Sequence, residues 1–221
     1  MPETTKKDRL LVIGAGMASG RMLEHLTEAD PERFEITLIN AEPRGSYNRI
    51  MLSPVLSGDK TLAEIITHDA EWYAKRGITC RFGTSVSEID RAARLVQTDD
   101  GESHTYDKLI LATGSTPFII PLPGHDLDGV IAYRDVEDTS RMMALGAGQR
   151  AVVIGGGLLG LEAAAGMAAR GAHVTVVHLM DHLMERQLDP EAGAMLATSL
   201  NAKGVELQLG AQSKEILGED G

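Results

Sequence analysis

Three glycines, Gly155, Gly157 and Gly160, stand at G-x-G-x-x-G spacing between an apolar run and an alanine-rich stretch. The run from Ala151 to Ile154 predicts a strand, and the residues after Gly160 predict a helix. Such a strand, tight turn and helix can hold a pyrophosphate, because glycines let the backbone approach the phosphates and the helix N-terminus offers unpaired N–H groups. The spacing therefore indicates a dinucleotide-binding turn.

A second, degenerate copy of the pattern lies near the start of the chain. The apolar run from Leu10 to Ile13 leads into Gly14-Ala15-Gly16-Met17-Ala18-Ser19, and the amphipathic stretch Arg21 to Thr27 follows. Ser19 replaces the third glycine but is small enough for a helix to pack closely on a strand. On this stretch alone, the alternative is an ordinary strand-to-helix turn without a ligand.

An acid near the end of the next strand would bind an adenosine ribose. Asn40 occupies the usual position after the predicted strand Phe34 to Ile39, and Glu42 follows two residues later. Glu42 is therefore the candidate ribose ligand, and the alternative is a solvated loop acid. The loop from Gly45 to Pro54 has too few periodic apolar positions to predict a helix or strand, and we expect it to carry chemistry.

The elements around these turns predict an α/β fold with two Rossmann-like βαβ dinucleotide-binding units. Short apolar or alternating runs predict strands at Ile78–Phe82, Leu109–Ala112, His173–Val177 and Val205–Leu209, and a β-meander at Val86–Asp90, Arg94–Thr98 and His104–Tyr106. The strand ending at Ala112 runs into Thr113 and Gly114. This turn would leave backbone donors at the carboxyl edge of a parallel sheet, where ligands bind in such folds.

Prolines and composition predict the domain bounds. Pro117, Pro121 and Pro123 punctuate a segment before the second turn, so we expect a first domain at residues 1–117, a connecting segment at 118–149 and a second domain at 150–221. The connecting segment includes a predicted helix, Asp135 to Leu145. The last residues from Ile216 predict a strand breaking into a turn. Because doubly wound domains continue past three strands, we expect the second unit and the C-terminal part to be truncated.

The composition argues against several classes of binding partner and site. The 221 residues carry a net charge of −11 without a basic block, which argues against a nucleic-acid partner. Cys80 is the only cysteine, which excludes a C-x-x-C redox pair, an internal disulfide and a cysteine zinc cluster. No apolar segment precedes the first strand, so we expect a cytoplasmic protein without a membrane span. His173, His178 and His182 lack an accompanying set of carboxylates or cysteines, so no metal site is expected.

The two turns in tandem, with a meander and the Ala112-Thr113-Gly114 turn between them, resemble the flavoprotein reductases with two dinucleotide-binding domains, a pyridine nucleotide-disulphide oxidoreductase-like family. The resemblance covers essentially the whole chain and implies FAD and NAD(P)H as cofactors. It implies an FAD site at Gly14, Ala15, Gly16, Met17, Ala18, Glu42, Arg49, Val86, Ala112, Thr113 and Gly114. It implies an NAD(P)H site at Gly155, Gly157, Leu159, Gly160, Glu162 and His178.

Two strings, residues 41–53 and 183–189, are similar to the N-terminal part of the large subunits of NAD(P)H-dependent nitrite reductases, although rubredoxin reductases share much of the first string. By this resemblance, Arg49 would approach the flavin or its ribityl chain, where a cation stabilises negative charge. Glu162 would lie near the nicotinamide and the flavin, and its alternative is a paired acid on the first helical turn. Arg49 and Glu162 are thus the predicted catalytic residues.

The implied activity is hydride transfer from NAD(P)H to FAD, with electrons passing on to an iron–sulfur or sirohaem centre in downstream domains. One alternative is a rubredoxin or ferredoxin reductase-type flavoprotein that serves a small electron carrier. Another is a truncated nucleotide-binding module without turnover. His178 stands where an NAD-binding acid is expected, so the sequence does not decide between NADH and NADPH. The sequence also leaves open whether the full-length protein forms a homodimer.

Overall fold

The computed structural model of the chain describes residues 7–218. The chain divides into two compact units, Met1–Arg49 with Ile65–Ser115, and Ile50–Glu64 with Thr116–Gly221. These bounds differ from the predicted domains, because residues 50–64 and the predicted connecting segment both belong to the second unit. Compactness does not report which residues bind which cofactor, so the domain assignment stays a prediction.

Strands and helices alternate along most of the chain, and the predicted α/β class is confirmed. Their order is β1 (Asp8–Ile13), α1 (Met17–Ala29), β2 (Phe34–Asn40), β3 (Ser46–Tyr47), a 3-10 helix (Arg49–Met51), α2 (Leu52–Ser57), α3 (Leu62–Ile65), β4 (Ile66–His68), α4 (Ala70–Ala74), β5 (Thr79–Phe82), β6 (Val86–Asp90), β7 (Leu95–Thr98), β8 (Ser103–Thr105), β9 (Lys108–Leu111), α5 (Val136–Met143), β10 (Arg150–Ile154), α6 (Leu158–Ala169), β11 (His173–Val177), α7 (Pro190–Ala202) and β12 (Val205–Gln208). Over residues 7–218, none of the helices combines the length and apolar character needed to cross a membrane.

The first unit is built on a four-stranded parallel sheet with the order β5-β2-β1-β9. Strand β1 lies inside this sheet, and its residues Leu10 to Ile13 are all buried. One face of the sheet packs against Leu23 of α1 and Tyr73 of α4, both fully buried. A strand covered on both faces needs a continuous apolar run, which explains why this run was readable from the sequence.

The predicted β-meander covers the other face of the same sheet. Strands β6, β7 and β8 form an antiparallel sheet in that order. Val96 of β7 is fully buried and packs with Leu11, Ile13 and Ile39 of the parallel sheet. The meander therefore takes the place of a crossover helix on this face, as the alternating pattern predicts.

The second unit contains a parallel sheet with the order β10-β11-β12. Val174 and Val176 of β11 are buried in the same core cluster as Ala164 of α6. Helix α2 also joins this core through Leu56, which lies against Gly166 of α6. A Cβ on Gly166 would come 2.7 Å from Leu56 Cγ, so the small residue lets the two helices approach closely.

The prediction that residues 45–54 form no helix or strand is wrong. They contain β3, the 3-10 helix and the start of α2. Leu52, Val55 and Leu56 follow helical i, i+3, i+4 spacing and are buried, but three positions are too few for a periodic signal. Pro54 lies in the first turn, where a missing N–H leaves no helical bond unmade, and Gly58 ends the helix with φ +90°.

The end of the chain also differs from the prediction. Residues 216–218 form no strand, and the Ile216 N–H instead donates to the carbonyl oxygen of Pro123 at 2.8 Å. Residues 219–221, which belong to the same predicted turn, lie outside the described residues.

Candidate functional site

The first glycine turn joins β1 to α1 in the first unit. Gly14 has φ +100°, and a Cβ at this position would lie 2.4 Å from the carbonyl oxygen of Ala112. Its N–H donates to the carbonyl of Ile39 at 2.8 Å, so the turn is tied to β2. Both the left-handed backbone and the close approach require glycine here.

The helix end that follows this turn is open. Gly16 is the N-cap of α1, its first turn holds no acid, and none of the side chains of residues 7–218 caps the helix. Among the same residues, a Cβ on Gly16 would meet no atom within 4 Å. The first-turn N–H groups of a helix have no partners within the helix, and here no described side chain replaces them. Such a positively polarised, uncrowded end suits a phosphate group.

Ser19 occupies the third position of the first turn for a visible reason. It is 2 % exposed, and its hydroxyl donates to the carbonyl oxygens of Gly14 at 2.6 Å and Gly16 at 3.1 Å. The Ser19 hydroxyl thus donates hydrogen bonds to two carbonyl oxygens of the turn, whereas a glycine at this position would only leave space for the helix to pack on the strand. The small residue expected from the spacing is present, with an added hydrogen bond.

The structure brings the predicted turn after β9 next to the first glycine turn. Ala112 donates its N–H to the carbonyl of Ile13 at 2.8 Å, while its carbonyl faces Gly14. Thr113 and Gly114 follow as exposed residues at the carboxyl ends of the strands. Five of the predicted FAD-site residues, Gly14, Ala15, Gly16, Met17 and Ala18, therefore share one edge of the sheet with Ala112, Thr113 and Gly114. Their contacts with the flavin stay a prediction.

Asn40 organises the loop at the end of β2. Its Oδ1 accepts the N–H of Ala15 at 3.0 Å, and its Nδ2 donates to the carbonyls of Glu42 at 3.1 Å and Arg44 at 2.9 Å. The side chain therefore links the middle of the glycine turn to the loop that carries Glu42. Sequence reasoning gave Asn40 no role, since the bond to Ala15 bridges 25 positions.

Glu42 is held by two side chains of the same unit. Tyr47 donates its hydroxyl to Oε2 at 2.9 Å, and Arg49 donates Nη2 to Oε1 at 2.8 Å. Arg49 also lies over the Tyr47 ring, 5.0 Å from its centroid. Each carboxylate oxygen retains further acceptor capacity for a ribose hydroxyl. Contacts of Glu42 with a ribose, of Arg49 with the flavin and of Val86, which begins β6, with the adenine all stay predictions.

Arg44 has a buried guanidinium nitrogen that bears on whether a dinucleotide fits the first unit. Its Nη1 is buried and has no hydrogen-bond partner among residues 7–218. Leaving a buried donor unsatisfied costs about 1–3 kcal/mol, and more when it is charged, so an acceptor is expected here. A phosphate or ribose oxygen would provide it. The open helix end and the unsatisfied guanidinium both fit an anionic ligand. Sequence reasoning assigned Arg44 no contact.

The second glycine turn joins β10 to α6 in the second unit. Gly155 has φ +117° and donates its N–H to the carbonyl of Val177 at 2.9 Å. Gly157 is the N-cap of α6, whose first turn holds no acid. In the described part of the chain, no side chain caps this helix and a Cβ on Gly157 would meet nothing within 4 Å. At Gly160 a Cβ would come 2.4 Å from the Gly155 carbonyl oxygen. The geometry again fits a phosphate, and the exposed Leu159 adjoins the turn.

His178 follows β11, but its side chain points inward. It is 8 % exposed, its Nδ1 accepts the N–H of Gly156 at 3.0 Å, and its Nε2 lies 3.1 Å from Glu185 Oε2. The pKa of Glu185 is lowered, first by the residue's own backbone N–H and then by His178. His178 is thus part of the turn, while its contact with a coenzyme stays a prediction.

Glu162 lies in a hydrogen-bonded cluster inside the second unit. Its Oε2 accepts the Ser53 hydroxyl, and Ser53 Oγ lies 3.0 Å from the hydroxyl of Tyr133. Burial raises the pKa of Tyr133, and the Glu162 carboxylate adds to this shift, while the Ser53 hydrogen bond opposes it. Sequence reasoning missed Ser53 and Tyr133 as partners of Glu162.

His182, Cys80 and a possible metal site are the other features that could carry chemistry. His182 lies 2.6 Å from Asp181, which raises the pKa of the imidazole. Burial raises the pKa of the Cys80 thiol to about 11, so this cysteine is a poor nucleophile at neutral pH. Within residues 7–218, no three histidine, cysteine, aspartate or glutamate side chains converge as metal ligands.

Comparisons with known proteins agree with this geometry. The profile of the pyridine nucleotide-disulphide oxidoreductase family matches residues 8–221. The chain is 45% identical to the nitrite reductase [NAD(P)H] of Bacillus subtilis (strain 168), and the match covers 97% of the chain and 27% of that protein. It is 42% identical to the assimilatory nitrate reductase electron transfer subunit of the same organism, over 96% of the chain and 28% of that protein.

A solved structure shares the fold. The covalent complex of putidaredoxin reductase with putidaredoxin matches with a TM-score of 0.84 and 28% identity, over 98% of this chain and 53% of that one. The chain thus spans about a quarter of the length of the two curated relatives and about half of this structural relative. On these matches, the chain belongs to the pyridine nucleotide-disulphide oxidoreductase family, and FAD and NAD(P)H, the cofactors that the resemblance implies, are confirmed.

Proposed function

We propose that this chain is the FAD- and NAD(P)H-binding portion of a flavoprotein reductase of the nitrite reductase large-subunit type. The first unit would hold FAD and the second NAD(P)H. Electrons would then pass to an iron–sulfur or sirohaem centre in downstream domains. Support for the final acceptor comes from the two relatives whose names refer to nitrite and nitrate reductases.

One observation carries the proposal: the chain contains two open, uncapped glycine turns, each at the carboxyl edge of its own parallel sheet. A reductase that passes hydride between two dinucleotides needs two such turns, whereas a simple dehydrogenase needs one. Neither turn carries an acid in the first turn of its helix, so neither repels a pyrophosphate.

In the first unit, the residues at the turn would bind and orient FAD. Gly16 leaves room for the pyrophosphate, and Arg44 offers a buried donor to an oxygen of the ligand. Glu42 would accept a ribose hydroxyl while Tyr47 and Arg49 hold its carboxylate in place. Bound FAD supplies the redox chemistry itself, since it takes up a hydride and releases electrons singly.

In the second unit, Gly157 and the uncapped start of α6 would bind the coenzyme pyrophosphate. Glu162 would orient the nicotinamide end, because an ionised carboxylate accepts the N–H of a carboxamide. Ser53 donates to this carboxylate, and Tyr133 contacts Ser53, so both would fix its direction. A fixed carboxylate lowers the entropy cost of placing the ring for transfer.

The test uses the full-length protein purified aerobically and then studied under argon. We expect bound flavin with its yellow absorbance, and bleaching when NADH or NADPH is added. Absence of both bound flavin and bleaching contradicts the proposal. Bleaching followed by reoxidation on addition of nitrite would assign the acceptor as well.

A second candidate keeps the same first reaction and changes the acceptor to rubredoxin, a ferredoxin or another small carrier. The similarity to putidaredoxin reductase, solved in complex with putidaredoxin, favours it. The reduced full-length protein would then transfer electrons to an added carrier and not to nitrite. The cysteine content of the full-length protein would also discriminate, since clustered cysteines for iron–sulfur and sirohaem binding belong only with the first candidate.

A third candidate is a nucleotide-binding module without turnover. This candidate predicts that the chain binds NAD(P)H but does not catalyse its oxidation by any added dye. A dye-reduction assay on the chain loaded with FAD separates this candidate from the reductases. A cytoplasmic location and a homodimer stay predictions from the sequence and from the resemblance.

A further inference from the structure

The two units use the same backbone contact at the end of the strand that follows each glycine turn. In the first unit, the N–H of Ala15 donates to Asn40 Oδ1 at 3.0 Å. In the second, the N–H of Gly156 donates to His178 Nδ1 at 3.0 Å. Ala15 and Gly156 are the middle residues of their turns. His178 therefore corresponds to Asn40, which organises the turn in the first unit, and not to Glu42, its candidate ribose acid.

The hydrogen bonds of His178 define its tautomer. Since Nδ1 accepts the N–H of Gly156, the proton of the neutral ring sits on Nε2. That Nε2–H faces Glu185 Oε2 at 3.1 Å and donates to it. The result is a chain of two hydrogen bonds that runs from the glycine turn to a carboxylate. The imidazole thus links the turn to the carboxylate of Glu185.

The loop that carries Glu185 is fixed directly to the turn. Met184 donates its N–H to the carbonyl of Gly156 at 3.0 Å, so both backbone groups of Gly156 are used. Leu183 is fully buried, and a Cβ on Gly156 would come 2.8 Å from the side chains of both His178 and Leu183. Glu185 follows this anchored pair, and its side chain is 26% exposed, so it is not sealed in the core.

We propose that Glu185 is the acid of the second unit that binds the adenosine ribose of the coenzyme, and that it selects NADH over NADPH. This inference rests on the proposed function. The carboxylate can accept the ribose 2′-hydroxyl, whereas a 2′-phosphate in the same place would meet a like charge. In this unit the residue at the strand end, His178, contacts the turn, and the negative charge that would bind the ribose lies on Glu185.

The neighbouring residue Arg186 could favour NADPH instead. It is exposed and adjacent to Glu185, and its charge also lowers the pKa of that carboxyl. An arginine in reach of the ribose would attract a 2′-phosphate and favour NADPH. Glu185 has the stronger structural claim, because its carboxylate is bonded to His178 and its loop to Gly156.

The test measures the dissociation constants of NAD+ and NADP+ for the FAD-loaded full-length protein by calorimetry. We expect wild type to bind NAD+ more tightly. Glu185→Gln should lower the ratio of NAD+ to NADP+ affinity about tenfold or more, because a like-charge contact disappears. The amide oxygen can still accept from His178, so the loop should fold. Glu191→Gln, an exposed acid at the start of α7, is the matched control and should leave the ratio unchanged.

Three outcomes overturn the inference. Wild type that binds NADP+ as tightly as NAD+ contradicts the preference, and an unchanged ratio in Glu185→Gln contradicts the role of the residue. A ratio that responds to Arg186→Gln and not to Glu185→Gln assigns selection to the neighbour instead. In all three cases coenzyme still binds, so the proposed function survives. Binding of neither nucleotide would remove the proposed function together with this inference.

Discussion

The two glycine turns share their backbone design and differ in the side chains around it. Each has a first glycine in the left-handed region, an uncapped helix start, and a strand-end residue that accepts the middle N–H of the turn. The first turn then pairs its acid, Glu42, with the cation Arg49. The second joins Glu185 to the imidazole of His178. The two turns therefore share the backbone that we expect to bind phosphate, and we expect the side chains beyond the strand ends to set which ligands each turn distinguishes.

The largest expected difference between the turns concerns the first glycine. Gly14→Ala combines a left-handed backbone with a Cβ 2.4 Å from the Ala112 carbonyl, so the free energy of unfolding should fall by about 3 kcal/mol or more. Gly155→Ala meets the same backbone strain but no atom within 4 Å, and should lose about 1–2 kcal/mol. Urea unfolding of both variants measures this. Equal losses would contradict the difference in crowding.

Glu162 and its partner Ser53 test the predicted catalytic role in the second unit. In the full-length protein, Glu162→Ala should slow flavin reduction by NADH about tenfold or more while the melting temperature changes little. Ser53→Ala should slow it less, since Ser53 acts only through the carboxylate. Stopped-flow reduction and thermal unfolding measure the two effects. A fall in melting temperature with an unchanged reduction rate would show that Glu162 is merely structural.

The smallest expected difference between the two turns lies at their third position. Gly160→Ala places a Cβ 2.4 Å from the Gly155 carbonyl, so the second unit should lose about 2 kcal/mol of stability. Ser19→Ala removes one buried hydroxyl and should cost about 1 kcal/mol. Denaturant midpoints compare them. A larger loss at Ser19 than at Gly160 would show that the hydroxyl matters more than helix-to-strand packing.

Much of this fold was predictable because local pattern decides it. Apolar runs mark the parallel strands and the spacing of glycines marks the turns, so β1, β10 and both turns followed from the sequence. Burial did not follow in the same way, because β1 is buried inside its sheet while Val152 of the edge strand β10 is 65% exposed. Helix α2 was missed because its three buried positions and internal proline give no periodic signal. Its packing is a tertiary effect, since Leu56 lies against Gly166, far along the chain.

The side-chain contacts of the site were less predictable than its turns. Ser53 and Glu162 are 109 positions apart, and no local pattern indicates that they meet. Glu185 lies seven residues after His178, beyond the position where an acid is expected. The buried Leu183 and the left-handed backbone of Met184 bring it to the turn. Strand-end residues can be located from sequence, but the direction of their side chains depends on packing.

In the proposed arrangement, the first turn holds FAD and the second holds the nicotinamide coenzyme. Gly16→Ala and Gly157→Ala test it most directly, because neither added methyl group meets an atom of residues 7–218 within 4 Å, although each would crowd an approaching phosphate. In the full-length protein, Gly16→Ala should lose bound flavin, while Gly157→Ala should keep flavin and bind NAD+ about tenfold or more weakly. Loss of flavin in Gly157→Ala, or retention of both ligands in both variants, would contradict the claim.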